Sequence, residues 1–562
     1  MIFHFLISPT KHDTLKKWFS PILVLNIFLC CFLPMSSFPV NALITNSDST
    51  LAFSTYFGGS SYDYNYAVAV DDSHNIYVTG KTSSANFPTR NAYNSNYGGS
   101  EDAYVLKFDS TGLLTFSTFF GGTASEQSND IAIDHFGNIY ITGTTYSSDF
   151  PIKNAYNNTY GGSADVFIAK FDPTGNLLFS SYLGGSNYDL GDSLALDDFG
   201  NCYITGNTQS TNFPLKNNMG SSFRGNSDIF VAKFSPSGDL LFSTLLGGSL
   251  IEFGYDITVN SLNNIFITGR TMSDDFPMKN AFNATYPGNN AVFITSFNSS
   301  GSIMYSTYFG GSGADAGESI HIDSNNNYYI TGYTLSKNFP TKNAFNATNN
   351  GNYDVFCTKF NQSNQLIFST YFGGSNDDTG MGITTDSDNS IIISGYSASP
   401  DFPVLQAFDS SYAGNNDAFV TKLDPSGSLL YSSFFGGSGQ DIGYGLAIDD
   451  TDSVYISGYT RSFDLPVYNG YYVNTSGQSD LFLAKFGSPL SPFSTDSTNS
   501  ASPSVTTITQ ISTVTKDTNV IASNNSSTSL FDSSLISNPV FIVITVFLLL
   551  SMLLNIIVMR KK

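Results

Sequence analysis

Residues 53–60 read Phe53-Ser54-Thr55-Tyr56-Phe57-Gly58-Gly59-Ser60, and variants of this phrase return every 63 residues. Its glycine pairs are Gly58-Gly59, Gly121-Gly122, Gly184-Gly185, Gly247-Gly248, Gly310-Gly311, Gly373-Gly374 and Gly436-Gly437, with no insertion between any two. Thr-Gly or Ser-Gly follows each pair at one offset, from Thr79-Gly80 to Ser457-Gly458. Phe-Pro recurs from Phe87-Pro88 until Leu465-Pro466 replaces it in the last unit. A fixed period of this size belongs to a propeller or a solenoid, and it decides the fold before any local reading.

Each unit holds four strands. In the second unit the pattern predicts strands over Asp130–Asp134, Ile139–Thr144, Asp165–Phe171 and Leu177–Leu183. Asp134-His135-Phe136-Gly137-Asn138 and Asp172-Pro173-Thr174-Gly175 are hairpin turns. There Asp or Asn accepts backbone N–H bonds, Pro presets φ, and Gly or Asn takes φ > 0. A loop of about 20 residues, carrying Phe150-Pro151, joins the second strand to the third. Four antiparallel strands make one propeller blade. An open solenoid needs distinct capping repeats, and the first and seventh units look like the middle ones. The phase of the repeat adds that the body starts on a fourth-strand segment, Leu51–Phe57, and ends on a third, Leu481–Phe486. The predicted fold is therefore all-β: a seven-bladed β-propeller of four-stranded blades, closed by the N-terminal strand.

The phrases Phe-Ser-Thr-Tyr-Phe-Gly-Gly-Ser, Ala69-Val70-Asp71, Asn75-Ile76-Tyr77-Val78-Thr79-Gly80, Asp149-Phe150-Pro151 and Asp417-Ala418-Phe419-Val420-Thr421-Lys422-Leu423 resemble the SBBP β-propeller repeat. The resemblance spans residues 51–486, and the second and third strands also resemble NHL repeats. It implies a propeller and, because that family occurs in prokaryotic exported and surface proteins, an extracytoplasmic address. It brings no catalytic motif.

The two ends point the same way. Lys11, Lys16 and Lys17 precede an apolar run from Trp18 to Met35, and small residues lead to Val40-Asn41-Ala42. Residues 1–42 read as a signal peptide, with an uncleaved N-terminal anchor as the alternative. Residues 539–559 read as a transmembrane helix: Val540 to Met559 is almost wholly apolar and long enough to cross about 30 Å of hydrocarbon. Arg560-Lys561-Lys562 would then be the cytoplasmic tail, which turns the propeller outward. Between propeller (43–487) and helix, residues 488–538 hold 24 Ser or Thr among 51 and read as a disordered stalk. Sequons at Asn157, Asn283, Asn298, Asn346, Asn361, Asn474, Asn524 and Asn525 are candidate glycosylation sites in such a topology.

The formal net charge is −22. Such a surface repels nucleic acid and anionic headgroups and suits divalent cations or basic partners. Cys30 and Cys31 lie in the leader; Cys202 and Cys357, at different repeat positions, read as buried small hydrophobes rather than a disulfide.

The candidate site is acidic. Five residues after the first Gly of each pair stands Asp63, Glu126, Asp189, Glu252, Asp315, Asp378 or Asp441. As a rim these could hold Ca²⁺ or a basic partner; alternatively each caps loop amides within its own repeat. Asp323-x-Asn325-x-Asn327 lacks the Gly and Glu of a calcium loop and reads as a turn. His74, His135 and His321 share no ligand spacing, with His321 expected to line the pore or pack. Ser54 recurs in a packed outer strand, where no nucleophile elbow surrounds it. Six units pair Asp with Lys in the third strand, as in Asp102 and Lys107, and the fourth carries Ala291 and Ser296. That joint loss predicts a structural ion pair. The expected function is a non-enzymatic adhesion, recognition or envelope-scaffold module at the cell surface. Its partner would be an extracellular glycan or protein, with lateral self-association as a structural-coat variant; the alternative is a glycan-active hydrolase or lyase.

Overall fold

The computed structural model describes residues 51–218 and 222–487. Strand β1 is Leu51–Phe57. The first blade follows as β2 (Asp63–Val70), β3 (Ile76–Thr82), β4 (Asp102–Phe108) and β5 (Leu114–Phe120). Five further four-stranded blades begin at Glu126, Asp189, Glu252, Asp315 and Asp378. The seventh is β26 (Asp441–Ile448), β27 (Val454–Thr460) and β28 (Asp480–Phe486), completed by β1. β1 runs antiparallel to β28 from Leu51↔Phe486 to Phe57↔Leu481. The ring is thus closed by hydrogen bonds, which removes the strand edges an open array would expose. The leader, the stalk, the apolar segment 539–559 and the sequons Asn524 and Asn525 lie outside the described residues.

In the second blade the third and fourth strands match the sequence pattern residue for residue. The first runs Glu126–Ile133 and so begins four residues earlier than expected. Its leading half is polar because it faces the centre of the ring, so an apolar pattern reveals only the trailing half.

Every blade buries both faces, and seven apolar clusters each draw on two neighbouring blades. One joins Val105, Phe116 and Phe120 to Ile131, Phe150 and Phe167. The Phe-Pro motif supplies a plug to each cluster: Phe150 is 3% exposed, and its ring lies 4.8 Å from those of Phe120 and Phe167. The recurrent outer-strand serine fixes that plug. Ser54 Oγ donates to Pro466 O at 2.6 Å and Ser180 Oγ to Pro151 O at 2.5 Å, so the serine acts as a strut. Cys202 and Cys357 are free and buried.

The charged motif of the third strand is not one ion pair. Asp102 accepts the Gly98 and Gly99 amides at 2.8 and 3.0 Å at the long-loop end. Lys107 stands over the Tyr77 ring, 5.0 Å from its centroid, roughly 17 Å along the strand from Asp102. The lysine's acidic partner is instead the aspartate of the first hairpin turn in its own blade: Lys233 Nζ lies 3.3 Å from Asp197, whose carboxylate also accepts the Tyr203 hydroxyl at 3.1 Å. In the fourth blade all three change together, to Asn260, Phe266 and Ser296. A buried acid left without its cation costs about 3 kcal/mol or more, which explains the joint replacement. We expect Lys233→Ser alone to lose about 3 kcal/mol in a urea titration followed by circular dichroism. The triple change Asp197→Asn, Tyr203→Phe, Lys233→Ser should lose clearly less; equal losses would refute the coupling.

Candidate functional site

The seven repeated acids are wholly buried beneath the long loops rather than set on a rim. Asp63 accepts the Gly59 amide at 2.7 Å, the Ser84 hydroxyl at 3.0 Å and the Thr82 hydroxyl. Glu126 and Asp378 take the same set, from Gly122 and Thr145, and from Gly374, Ser397 and Ser399. Asp189, Glu252, Asp315 and Asp441 do likewise with Gly185, Gly248, Gly311 and Gly437. Each acid thereby folds the Gly-Gly connection between blades, which is why it recurs in all seven. At six of the seven boundaries the third-strand aspartate of the preceding blade faces it, Asp417 against Asp441 for example. Burial first, and the neighbouring carboxylate second or later, push these acids upward: Asp63, Asp165 and Asp354 to about 6, Asp378 and Asp417 to about 7.

The asymmetry of the molecule lies at its centre. Every first strand carries a one-residue bulge against the second: between Asn65 and Ala67 in blade 1, Gly191 and Ser193 in blade 3, Gly317 and Ser319 in blade 5. Opposite it stands the glycine of the Thr-Gly motif. A methyl group at Gly80 would meet the Tyr64 carbonyl oxygen at 1.9 Å, so the bulge requires glycine there. The bulged residue points into the axial channel. The seven are Tyr66, Asn129, Asp192, Tyr255, Glu318, Met381 and Tyr444, and all line one cavity of about 390 Å³. The scaffold repeats; these side chains do not.

Just below them runs a half-belt of alternating acid and hydroxyl. Ser193 Oγ lies 2.9 Å from Asp130 and 2.8 Å from Asp256, and Ser319 Oγ 2.9 Å from Asp256. The amides of Leu194 and Ile320 donate to the same two carboxylates at 2.8 Å. On the other side of the ring the corresponding residues are Ala67, Gly382 and Gly445, which leaves room. Burial pushes Asp130 up to about 7, with Asp256 adding to it. Burial and then Glu318 push Asp192 to about 8. Glu318 rises to about 7, mainly through burial, with Arg270 opposing and Asp256 assisting. Asp192 Oδ2 is buried without a hydrogen-bond partner among the described residues. His321 lines the same cavity, its Nε2 3.0 Å from Thr385 Oγ1, and burial lowers it to about 4, so it is neutral near pH 7.

A second cavity of about 400 Å³ shares Asn129 and Asp192 with the first and is lined by Lys81, Glu101, Gln127 and Tyr146. The Lys81 ammonium is held by Glu101 at 3.1 Å. Across blades 7 and 1 the wall is aromatic: Tyr66 meets Tyr444 edge-on at 5.4 Å and Tyr64 meets Tyr459 at 4.8 Å. Away from the channel, His74 stands between Asp449 (3.2 Å) and Asp450 (3.5 Å) at the seam of blades 1 and 7. This is the one group of three metal-type ligands among the described residues. Asp449 is already committed to Thr451, Ser453 and Tyr455. Asp323 accepts the Asn325 and Asn327 amides, as a turn does. His135 is exposed on the hairpin-turn side. Among the described sequons Asn474 is exposed and Asn157, Asn283, Asn298, Asn346 and Asn361 are half-buried.

Sequence reasoning named none of the bulge acids. Their signal was available: aligned on the 63-residue period, the position of Tyr66 and the one after it vary, while the apolar position of Val68 holds.

The chain is similar to several known proteins. An uncharacterised WD repeat-containing protein of Acanthamoeba polyphaga mimivirus is 24% identical over 83% of this chain. The regulatory protein FlaEY of Caulobacter vibrioides is 24% identical over 29% of it. The alignments span 40% and 17% of those relatives' own lengths. A protein of unknown function from Bacteroides caccae aligns at 9% identity with a TM-score of 0.31, covering 60% of this chain and 92% of that structure. The SBBP family, described as a beta-propeller repeat, matches residues 52–88, 116–151, 178–214, 241–277 and 305–340. With seven four-stranded blades on that period, the chain is a beta-propeller that carries SBBP beta-propeller repeats.

Proposed function

We propose that this protein is a non-enzymatic recognition scaffold that binds an extracellular glycan or protein at the long-loop mouth of its central channel. One observation carries the reading: symmetry is kept in the framework and broken at the seven bulge residues, where binding specificity would have to be written. An aromatic arc facing carboxamides and carboxylates is the usual furniture of a polar-ligand site. The relatives' names, WD repeat-containing and regulatory, suit an interaction role. On this reading the signal peptide and the apolar segment 539–559 place the propeller outside a cell membrane, lifted by the stalk. Lateral self-association and a calcium requirement are separable additions.

A second reading, a glycan-cleaving enzyme, draws on Asp192 and Glu318, two carboxylates in one cavity. Both are displaced in the same direction, however, whereas an acid–base pair needs its members pushed apart.

The test is a broad glycan array probed with the full chain, with and without Ca²⁺, beside the variant Tyr459→Ala. Specific binding that the variant loses is the expected result, and calcium dependence would add a metal to it. Binding unchanged in the variant, or glycan cleavage abolished by Glu318→Gln, would overturn the proposal.

A further inference from the structure

We propose that the central channel takes a primary alkylammonium group, seated at Asp192 and Glu318 with its alkyl chain against Tyr66, Tyr255 and Tyr444. The inference rests on the recognition reading above and names the ligand chemistry at that same channel.

The first argument is charge. The wall of the 390 Å³ cavity holds Asp130, Asp192, Asp256 and Glu318, and its lining includes no Lys or Arg. Arg270 stands over the Phe253 and Tyr255 rings, 4.7 and 5.9 Å from their centroids, and opposes the rise at Glu318. Lys81 is spent on Glu101. These carboxylates are half-buried, and without a counter-charge such groups are costly, so they hold protons or accept a cation.

The second argument is hydrogen bonding. Asp130 and Asp256 are satisfied by Ser193, Ser319 and backbone amides, whereas the Oδ2 of Asp192 is a buried acceptor with no described donor. It calls for an N–H, which a primary ammonium carries and a quaternary one lacks. A chelated metal fits less well, because among the described residues no three channel ligands converge; the single such group is at His74.

The third argument is the remaining wall. The tyrosine rings of blades 1 and 7, 5.4 Å apart, offer aromatic surface to a cation and its methylene chain, while Tyr255, whose ring already carries Arg270, adds apolar wall. Binding must then displace the protons held by Asp192 and Glu318. Glu318 bears on Asp192, Arg270 and Asp256 bear on Glu318, and Tyr255, Tyr333, Tyr396 and Tyr444 feel its charge, with His321 neutral.

The experiment is isothermal titration of the full chain in detergent with 1,5-diaminopentane, a blocked Gly-Lys-Gly tripeptide and pentyltrimethylammonium. We expect the diamine to bind at pH 8.5 and to weaken roughly tenfold or more at pH 6, since each unit of protonation is a factor of ten. Asp192→Asn and Glu318→Gln should each weaken it about tenfold without lowering the melting temperature, and the quaternary compound should bind more weakly. Tripeptide binding comparable to the diamine's marks a partner's lysine as the source, and diamine binding alone marks a free amine. No heat of binding from either amine at pH 8.5, or equal binding in both variants, overturns the proposal. If array binding persists in that case, the recognition reading stands without it.

Discussion

A chain lacking Leu51–Phe57 should be recovered as aggregate, eluting in the void volume, rather than as a soluble ring. The segment buries Leu51, Phe53, Tyr56 and Phe57 almost completely, and at about 2 kcal/mol for each large apolar side chain their exposure costs roughly 8 kcal/mol. Hydrogen bonds are lost as well: Ser54 to Pro466, the Tyr56 hydroxyl to Ser462 O, and the whole β1–β28 ladder. What remains is β28, a seven-residue apolar strand with its ladder open, which templates association with another copy. A soluble deletion variant with an unchanged melting temperature would mean that the ring does not depend on this strand.

The second large effect is on pH. Where burial raises the folded pKa of an acid above its unfolded value, the acid's contribution to stability is complete below the unfolded value, near 4. It is lost as pH rises through the folded one. Asp63, Asp165 and Asp354 pass through theirs at about 6, Asp378, Asp417, Asp130 and Glu318 at about 7, and Asp192 at about 8. Stability should therefore fall between pH 5 and pH 8. Below pH 4 the opposite class takes over. At Asp172 hydrogen bonds from Asn176 and Thr174 outweigh burial and lower the carboxyl to about 2, and Asp449 is lowered in the same way by Thr451, Ser453 and Tyr455. The melting temperature should be highest near pH 5 and fall by roughly 5 °C or more at pH 8, because several acids contribute together. The boundary between blades 4 and 5 supplies an internal control, since Ala291 removes one member of its acid pair. Asp417→Ala should flatten the profile, and a profile that rises from pH 5 to pH 8 would contradict the assignment.

The closure of the ring was legible because a strict period fixes phase, and phase alone shows that Leu51–Phe57 is a fourth strand without its blade. The third and fourth strands were legible to the residue because alternating aromatic and β-branched side chains bound them with turn motifs. The start of the first strand was not, since hydrophobicity stops where the strand turns toward the channel. The recurring acids were visible as a pattern, but their burial depended on hydroxyls about 20 residues further on. The lysine's partner was misplaced for a similar reason: Asp197 and Lys233 are separated by the strand Cys202–Thr208 and a long loop, and only the pairing of Tyr203 with Lys233 brings them together. The channel residues escaped because reading by repetition rewards constancy, whereas Asp192 and Glu318 are informative through their difference from Tyr66 and Met381.

The order of strands in the last blade also sets how the molecule bears load. The chain leaves the propeller from β28, which is hydrogen-bonded on one side to β1 and on the other to β27. Tension applied through the residues after Phe486 therefore meets two ladders in shear. Tension applied before Leu51 meets one ladder and, on the other side of β1, only the two bridges that Ser54 and Tyr56 make to Tyr468 and Tyr472. The protein should be mechanically polar, strong when pulled from its C-terminal side and quick to unzip from the other.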